Sequence, residues 1–230
     1  MSHRPVALIT GASRGIGAAV ARSLAQTHDL LLGGRDLAAL KELAAELPGA
    51  QPWPVELTDD TALAEATAGI ERLDVLVHSA GIAEIGPLAD AAVDVWRRTL
   101  EVNVVAVAEL TRLLLPALRA ARGHVVLVNS GAGLRGNPGW GVYAASKFAL
   151  HAFGDVLRAE EEDNGVRVTS VHPGRVDTDM QRDVRAQESG EYEPERYLRA
   201  ESVANAILAA VQASADAHLT EIIIRPRPRP

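Results

Sequence analysis

The chain has 230 residues, no cysteine and a formal net charge of −7. A chain of this length can bury a large apolar core without disulfides or metals, and the lack of Cys excludes disulfides, thiolate zinc sites and a cysteine nucleophile. The acidic balance argues against a nucleic-acid partner. Since the sequence shows neither a signal-peptide core nor an apolar run long enough to cross a bilayer, we expect a cytoplasmic protein with no membrane partner.

Short β-branched runs alternate along the chain with longer Ala- and Leu-rich stretches. The runs are continuously apolar, as expected when helices cover both faces of a parallel sheet. The pattern predicts one α/β domain over residues 1–230, with an open, doubly wound parallel sheet of about seven strands and helices on both faces. The predicted strands are Val6–Thr10, Leu30–Gly33, Gln51–Leu57, Leu73–His78, Val125–Asn129, Val166–His172 and Glu221–Ile224, and the predicted helices are Gly15–Gln26, Leu37–Leu47, Thr61–Ile70, Val93–Ala121, Val142–Glu162 and Glu201–Ala213.

Two segments depart from this alternation. Gln181–Arg199 is polar, rich in charged residues and holds two of the three tyrosines. We interpret it as a substrate-side loop or short helical flap, with a plain solvated loop as the alternative. The tail Ile224–Pro230 is basic and rich in proline, which is typical of an extended, solvated terminus; a peptide ligand is the alternative.

The spacing of one lysine indicates chemistry. The chain has two lysines against twenty-one arginines, and Lys147 follows Tyr143 by four residues. On a helix these side chains share one face, so the ammonium is expected to lower the pKa of the phenol towards the working range of a general acid/base. A compact ammonium also fits a narrow pocket that a planar guanidinium does not. A surface pair without chemistry is the alternative.

A glycine-rich turn follows the first predicted strand. Thr10–Gly17 reads TGASRGIG, with glycines at positions 11, 15 and 17 and a predicted helix directly after it. Glycines let the backbone approach a pyrophosphate, and a helix N-terminus supplies amide donors. The G-x-x-x-G-x-G spacing differs from the G-x-G-x-x-G of other dinucleotide folds. We interpret the turn as a dinucleotide site; a tight turn that serves packing is the alternative.

Together with Ser130, Tyr143 and Lys147, this turn resembles the short-chain dehydrogenase/reductase family, in its compact single-domain branch. Further matches stand in order at the family's spacing: Asn103, Pro173-Gly174 and Thr178. The resemblance covers essentially the whole chain. It implies a Rossmann fold and an oxidoreductase that transfers a hydride between a nicotinamide and a carbonyl or secondary alcohol of a small or medium organic substrate.

The resemblance also implies which residues contact the cofactor. They are Gly11, Ser13, Arg14, Gly15, Ile16, Gly17, Arg35, Glu56, Leu57, Ser79, Ala80, Gly81, Tyr143, Lys147, Pro173, Gly174, Val176 and Thr178. We expect NADP(H) rather than NAD(H), because the family's ribose-binding acid is replaced by Gly34, with Arg35 next to it, and Arg14 offers a second guanidinium for a 2′-phosphate. The alternatives are that Asp36 turns inward to the ribose or that Arg35 merely begins a helix. We expect Asp36 instead to cap the helix that begins at Leu37.

Four catalytic roles follow from the resemblance. Tyr143 is the general acid/base, Lys147 lowers its pKa and holds the ribose hydroxyls, and Ser130 binds the substrate oxygen. Asn103 positions a water that links Lys147 to solvent. The alternatives are a strand-end cap for Ser130, a packing amide for Asn103 and an ordinary loop position for Thr178. The seven histidines lack metal-ligand spacing, so we expect no catalytic metal.

Two departures from the family pattern bear on cofactor affinity. His78-Ser79-Ala80-Gly81 stands where the family commonly has Asn-Asn-Ala-Gly, and Glu56 stands where it has Asp. We expect His78 to be structural rather than catalytic. These departures favour the alternative function, a dinucleotide-binding regulator or redox sensor with little turnover. A nucleotide-sugar epimerase requires a larger C-terminal region than this chain has.

The sequence also indicates which segments contact the substrate and which helices pair subunits. Gly131–Leu134, Gly136–Gly141 and the flap would form an apolar wall that does not strongly select a charged substrate, with Trp140 either stacking on the substrate or packing the loop. Members of the family commonly pair through the equivalents of Val93–Ala121 and Val142–Glu162, so the resemblance implies a homodimer or homotetramer. The residues expected to pair are Val102, Val105, Leu110, Leu114, Ala145, Ala149 and Phe153.

Overall fold

A computed structural model of the protein describes residues 4–227, in which strands and helices alternate. The strands are β1 (Val6–Ile9), β2 (Asp29–Gly34), β3 (Ala50–Pro54), β4 (Val75–His78), β5 (His124–Val128), β6 (Arg167–Pro173) and β7 (Glu221–Ile224). The helices are α1 (Gly15–Leu24), α2 (Leu37–Glu46), α3 (Asp60–Thr67), α4 (Val93–Leu100), α5 (Ala106–Ala121), α6 (Gly141–Glu161), α7 (Asp179–Gln187) and α8 (Ala200–Val211).

All seven strands are parallel and form one sheet in the order β3-β2-β1-β4-β5-β6-β7. The chain starts in the middle of the sheet, runs outwards to β3, returns to β4 beside β1, and runs outwards again to β7. This is the predicted doubly wound Rossmann fold. The order reverses between β1 and β4, and in such sheets the crevice at the carboxyl ends of the strands around this point is where ligands bind.

The apolar core lies on both faces of the sheet, because successive side chains of a strand point to opposite faces. In β1, Ala7 and Ile9 join the cluster that contains α1, α2 and α8, whereas Leu8 joins the cluster that contains α3, α5 and α6. Every one of these three residues is fully buried. The continuous apolar strands of the sequence are therefore explained by helices on both sides.

The predicted helix Val93–Ala121 is not regular along its length. A π-helical turn at Glu101–Val105 separates α4 from α5 and contains Asn103. Such single π-turns insert one residue into a helix and are frequent at functional sites. Apolar periodicity does not reveal the turn, because apolar residues continue through it.

The predicted flap contains regular structure. It begins within α7, and a short 3₁₀ turn follows at Pro194–Arg196. Of the proline-rich tail, residues 228–230 lie outside the described residues, as do residues 1–3 at the N-terminus. Within residues 4–227, each helix is too short or too polar to cross a bilayer.

Candidate active site

A cavity of about 550 Å³ opens at the carboxyl edge of the sheet, around the ends of β4, β5 and β6. Many of the predicted site residues line it: Ile16, Ser79, Ala80, Gly81, Ser130, Tyr143, Lys147, Pro173, Gly174, Val176 and Thr178. The other predicted residues are not part of its lining: Gly11, Ser13, Arg14, Gly15, Gly17, Arg35, Glu56, Leu57 and Asn103. The fold thus joins into one cavity residues that are more than 150 positions apart in the sequence.

The glycine-rich turn tolerates no side chain at its key positions. Gly11 and Gly15 have φ of 65° and 57°, which L-residues with a Cβ rarely adopt. A Cβ on Gly17 would overlap the carbonyl oxygen of Gly11 and lie 2.7 Å from its carbon. In the described part of the chain no side chain caps α1, so the first amides of this helix are available to an anion. A cradle with these properties fits the pyrophosphate of a dinucleotide.

Thr10 joins this turn to the loop after β4, a role that was not predicted. Its hydroxyl oxygen accepts hydrogen bonds from the amides of Ser79 (3.0 Å) and Ala80 (3.1 Å). A Cβ on Gly11 would lie 2.9 Å from the backbone of Ala80, so the two loops are in close contact. The sequence signal for this role was the position of Thr10 at the end of the first strand, directly before the first glycine of the motif.

The end of β2 carries the residues expected to distinguish NADP from NAD. Asp36 accepts a hydrogen bond from the amide of Ala39 at 3.0 Å and caps α2, which confirms the predicted cap. Arg35 lies 3.5 Å from Glu56, and its side chain is 78% exposed. Arg14 forms a comparable exposed pair with Asp179 at 3.4 Å. Because exposed ion pairs contribute little free energy, both guanidiniums can exchange a carboxylate for a phosphate.

Asn103 projects from the π-turn and is fully engaged by protein groups. Its Oδ1 accepts from the amide of Ile82 (2.9 Å), and its Nδ2 donates to the carbonyl of Ile82 and to Ser146 Oγ, both at 3.0 Å. Both amide hydrogens are therefore used. Asn103 fixes the loop after β4 against α6, a structural role that agrees with the packing alternative. Ser146 was not predicted.

Ser130, Tyr143 and Lys147 all line the cavity, and Tyr143 and Lys147 share one helix face, as their spacing predicts. Tyr143 and Lys147 are buried on one face of α6, with Lys147 Nζ 5.8 Å from the centre of the tyrosine ring. Nζ donates to the carbonyl of Val128 at 3.0 Å, which fixes the ammonium beside the end of β5. Ser130 forms a hydrogen bond with the phenol.

The pKa of Tyr143 departs from the predicted direction. Burial raises the pKa of the phenol above its usual value, and the hydrogen bond from Ser130 offsets only part of this. Burial also lowers the pKa of Lys147 to about 8. Desolvation disfavours the charged form of each group, so the net shift of the Tyr143 pKa is opposite to the predicted one, and the lowering effect of Lys147 stays a prediction.

Two further residues hold Ser130 in position. Asn129 Oδ1 accepts from the amide of Ser130 at 2.9 Å, while its Nδ2 donates to the carbonyl of Lys147 at 3.2 Å. His172 Nδ1 donates to the carbonyl of Ser130 at 3.1 Å. The hydroxyl of Ser130 also accepts from the amide of Ala132, so the predicted capping alternative holds alongside its place in the cavity. Neither Asn129 nor His172 was predicted.

His78 is structural, as expected. Its Nε2 lies 2.9 Å from the hydroxyl of Thr111, which itself donates to the carbonyl of Val107. The imidazole must therefore donate through Nε2. Complete burial lowers the pKa of His78 to about 3, so the ring is neutral.

Three arginines contribute to the lining of the cavity, which the sequence did not predict. They are Arg135, Arg175 and Arg225. Arg175 lies over the ring of Trp140 and pairs with Glu188 at 2.6 Å. Arg225 donates to the carbonyls of His172 and Ile224 and has no carboxylate partner within residues 4–227. Apolar groups still make up most of the lining, as expected, and the segments after β5, β6 and β7 each add one of these arginines.

The flap covers one side of the cavity through α7. Met180, Gln181 and Val184 line the cavity, and Gln187 holds the loop after β4 by accepting from the amide of Ile85 at 2.9 Å. Trp140 packs edge-on against Tyr143 with ring centres 5.8 Å apart. Thr178 caps α7 through its hydroxyl, which identifies it as more than an ordinary loop position.

Comparison with known proteins gives consistent results. The model of the short chain dehydrogenase family matches residues 5–189. An uncharacterized oxidoreductase of Staphylococcus saprophyticus is 32% identical, with 96% of this chain and 97% of that protein aligned. The glycine betaine reductase ATRR of Emericella nidulans is 37% identical over 98% of this chain, and the mouse dehydrogenase/reductase SDR family member 7B is 38% identical over 76%. This chain spans only 19% and 58% of the lengths of those two proteins.

Solved structures agree with the fold over nearly the whole chain. An alcohol dehydrogenase of the archaeon Thermococcus sibiricus, complexed with 5-hydroxy-NADP, superposes with a TM-score of 0.88 at 26% identity and 98% coverage of both chains. A serine dehydrogenase complexed with NADP⁺ superposes with a TM-score of 0.86, also at 26% identity, and covers 95% of this chain and 93% of its own.

Proposed function

Since this chain belongs to the short-chain dehydrogenase/reductase family of oxidoreductases, we propose that it transfers a hydride between NADP(H) and a carbonyl or secondary alcohol of a small or medium organic substrate. The observation that carries the proposal is the buried group of Ser130, Tyr143 and Lys147 at the base of a cavity beside the glycine turn. The hydride is the contribution of the nicotinamide; the residues of this chain bind, orient and supply the proton.

Tyr143 is the proton donor in carbonyl reduction and the acceptor in alcohol oxidation. A phenol with a raised pKa stays protonated at neutral pH, which suits the donor. Ser130 holds the substrate oxygen beside the phenol and stabilises the negative charge that develops on it. Lys147 supplies a buried positive charge 5.8 Å from the centre of the Tyr143 ring, and the carbonyl of Val128 positions it.

NADP(H) is the proposed cofactor. Support comes from the glycine cradle, from Gly34 in place of the family's acid, and from the two exposed guanidiniums of Arg14 and Arg35. Asp36 caps α2 through its Oδ1, which argues against a place for this carboxylate on the ribose. The related structures bound to NADP or a derivative agree with this preference.

The arginines in the cavity lining indicate which charge the substrate carries. Glu188 neutralises Arg175, whereas Arg225 faces the cavity beside Gly131 without a carboxylate partner in the described chain. A guanidinium in this state favours a substrate with a carboxylate or another anion near its reacting carbon. We therefore propose that oxo or hydroxy acids are better substrates than their neutral esters.

The experiment is NADPH oxidation with a panel of aldehydes, ketones and oxo acids, for wild type, Tyr143→Phe and Tyr192→Phe. Removal of the Tyr143 hydroxyl should lower kcat by roughly 10²-fold or more, with the Kd of NADPH unchanged. Tyr192→Phe is the matched control, since that phenol lies outside the cavity lining and contacts Asp177. Equal turnover by wild type and Tyr143→Phe would contradict the mechanism.

The second candidate function is a dinucleotide-binding regulator with little turnover, favoured by Glu56 and by His78-Ser79. Tight NADPH binding without turnover across the panel would support it. A lower Kd for NADH than for NADPH would contradict the cofactor proposal.

A further inference from the structure

Behind Ser130 lies a second group of chemically competent side chains, outside the cavity. His151 belongs to α6, His172 to β6 and Glu221 to β7, and one ligand atom of each lies within 4.8 Å of the others. His151 Nε2 is 2.5 Å from Glu221 Oε1, and His172 Nε2 is 3.9 Å from the same oxygen. The three positions are far apart in sequence, so their spacing gave no sign of the cluster.

His172 presents an unused lone pair to this cluster. Its side chain is completely buried, and its Nδ1 carries the hydrogen that is donated to the carbonyl of Ser130. Nε2 is therefore an unprotonated acceptor in the neutral ring, and among residues 4–227 it has no hydrogen-bond partner. A buried polar atom without a partner requires an explanation. The neighbouring carboxylate of Glu221 is also an acceptor and cannot satisfy it, whereas a shared cation can.

The ligand set suits a transition-metal dication. Two imidazole nitrogens and one carboxylate oxygen form a common zinc-binding set, with Zn–N and Zn–O distances of about 2.0–2.2 Å. Tetrahedral geometry at that radius separates neighbouring ligand atoms by about 3.3 Å, a value between the two separations observed here. Each of these two separations would have to change by less than about 1 Å to reach that value.

The surroundings of the cluster match those of metal sites. The bond from His172 Nδ1 to the carbonyl of Ser130 is the outer hydrogen bond that fixes the tautomer of a metal-binding histidine. Glu221 is 38% exposed, which leaves a path to solvent and room for a water as fourth ligand. Asp155 Oδ2, 3.7 Å from His151 Nε2, is a further carboxylate on the rim and pairs with Arg158.

We propose that His151, His172 and Glu221 bind one transition-metal dication, Zn²⁺ by preference, which clamps β7 to β6 and α6. The proposed metal is structural, because Glu221 and His151 do not line the cavity. The metal would affect the reaction only by stabilising the backbone of Ser130 through His172. β7 has four residues and lies at the edge of the described sheet, where β6 is its one neighbour, so it gains most from such a clamp.

Isothermal titration of Zn²⁺ into EDTA-treated protein without a histidine tag tests the proposal. One Zn²⁺ should bind per chain, and Tm should rise with Zn²⁺ concentration, because the metal binds the folded state. Co²⁺ in the wild-type protein should show the visible absorption of a tetrahedral site with nitrogen and oxygen ligands. The absence of any saturable site, or an octahedral Co²⁺ spectrum, overturns the proposal without reliance on any variant.

Variants then identify the ligands. His151→Ala and Glu221→Gln should each weaken Zn²⁺ binding at least tenfold, because each removes a direct ligand. Glu162→Gln is the matched control, since it changes an exposed carboxylate next to the end of α6 and should leave the Kd unchanged. Circular dichroism confirms that each variant is folded. Unchanged affinity in both cluster variants would show adventitious binding elsewhere and overturn the assignment.

Discussion

At the scale of one residue, the buried ammonium of Lys147 serves the proposed reaction but lowers the free energy of unfolding. Its pKa falls from 10.5 to about 8 through burial, so below pH 8 the folded protein holds a buried ammonium. Between about pH 8 and 10.5 the unfolded chain binds the proton and the folded protein does not. The contribution of Lys147 to the free energy of unfolding therefore rises with pH through this window.

Lys147→Met should consequently be more stable than the wild type at pH 7, by roughly 2 kcal/mol after loss of the hydrogen bond to Val128. The advantage should shrink as pH approaches 10, while activity is lost at every pH. Urea denaturation of both proteins at pH 7 and 9.5 measures the difference. An advantage that is the same at both pH values would contradict the assignment of the burial cost to the ammonium.

The position of Arg225 predicts selectivity for charged over neutral substrates. Arg225→Ala should lower kcat/KM for an oxo acid by roughly 10-fold or more, since hydrogen bonds to charged groups contribute about 1.5–3 kcal/mol. The methyl ester of the same acid should be affected much less. Arg97→Ala is a suitable control, because Arg97 is exposed on α4 and pairs with Asp94. A proportional loss for acid and ester would show that Arg225 does not select charge.

At the scale of elements, the junction between β1 and α1 depends on one glycine. In Gly17→Ala the added methyl group overlaps the backbone of Gly11, and no side-chain movement can relieve that contact. We expect a loss of several kcal/mol in unfolding free energy, about 3 or more, together with the loss of NADPH binding. Gly69→Ala is the control, because apart from its chain neighbours no atom of the described residues lies within 4 Å of the new methyl group. Chemical denaturation and fluorescence titration with NADPH measure both effects.

The sequence predicts the positions of the strands and main helices but not the position of the π-turn. The strands and main helices are predictable, because helices on both faces leave the strands continuously apolar. The π-turn is not, since the hydrogen bonds that hold Asn103 come from the backbone of Ile82 in another loop. Tyr143 and Lys147 are predictable from local spacing, whereas the positions of His172 and Arg225 depend on the pairing of β6 with β7.

At the scale of the whole molecule, association through α5 and α6 remains a prediction. Val105, Phe148 and Val156 are 47%, 45% and 55% exposed, so apolar surface is available along these helices. Leu110 and Leu114, which were expected in the interface, are completely buried against the sheet. The residues that bind a partner must therefore lie on the outer face.

Light scattering should give twice the 24.3 kDa chain mass or a higher multiple. A charge placed on the outer face, as in Phe148→Glu or Val156→Glu, should give a folded monomer, because it buries an unpaired charge in the dimer. Leu219→Glu, at a partly exposed apolar residue before β7, should leave the mass unchanged. A monomeric wild type would contradict the prediction.

The packing of α1 against α8 has a consequence for synthesis in the cell. Val20 and Leu24 of α1 share one buried cluster with Val203 and Ile207 of α8. During translation the apolar stripe of α1 emerges first and stays without this cover until the ribosome has delivered the residues of α8. We therefore expect the growing chain to be open to chaperones that hold exposed apolar segments, and a pause in translation before residue 200 would prolong that stage.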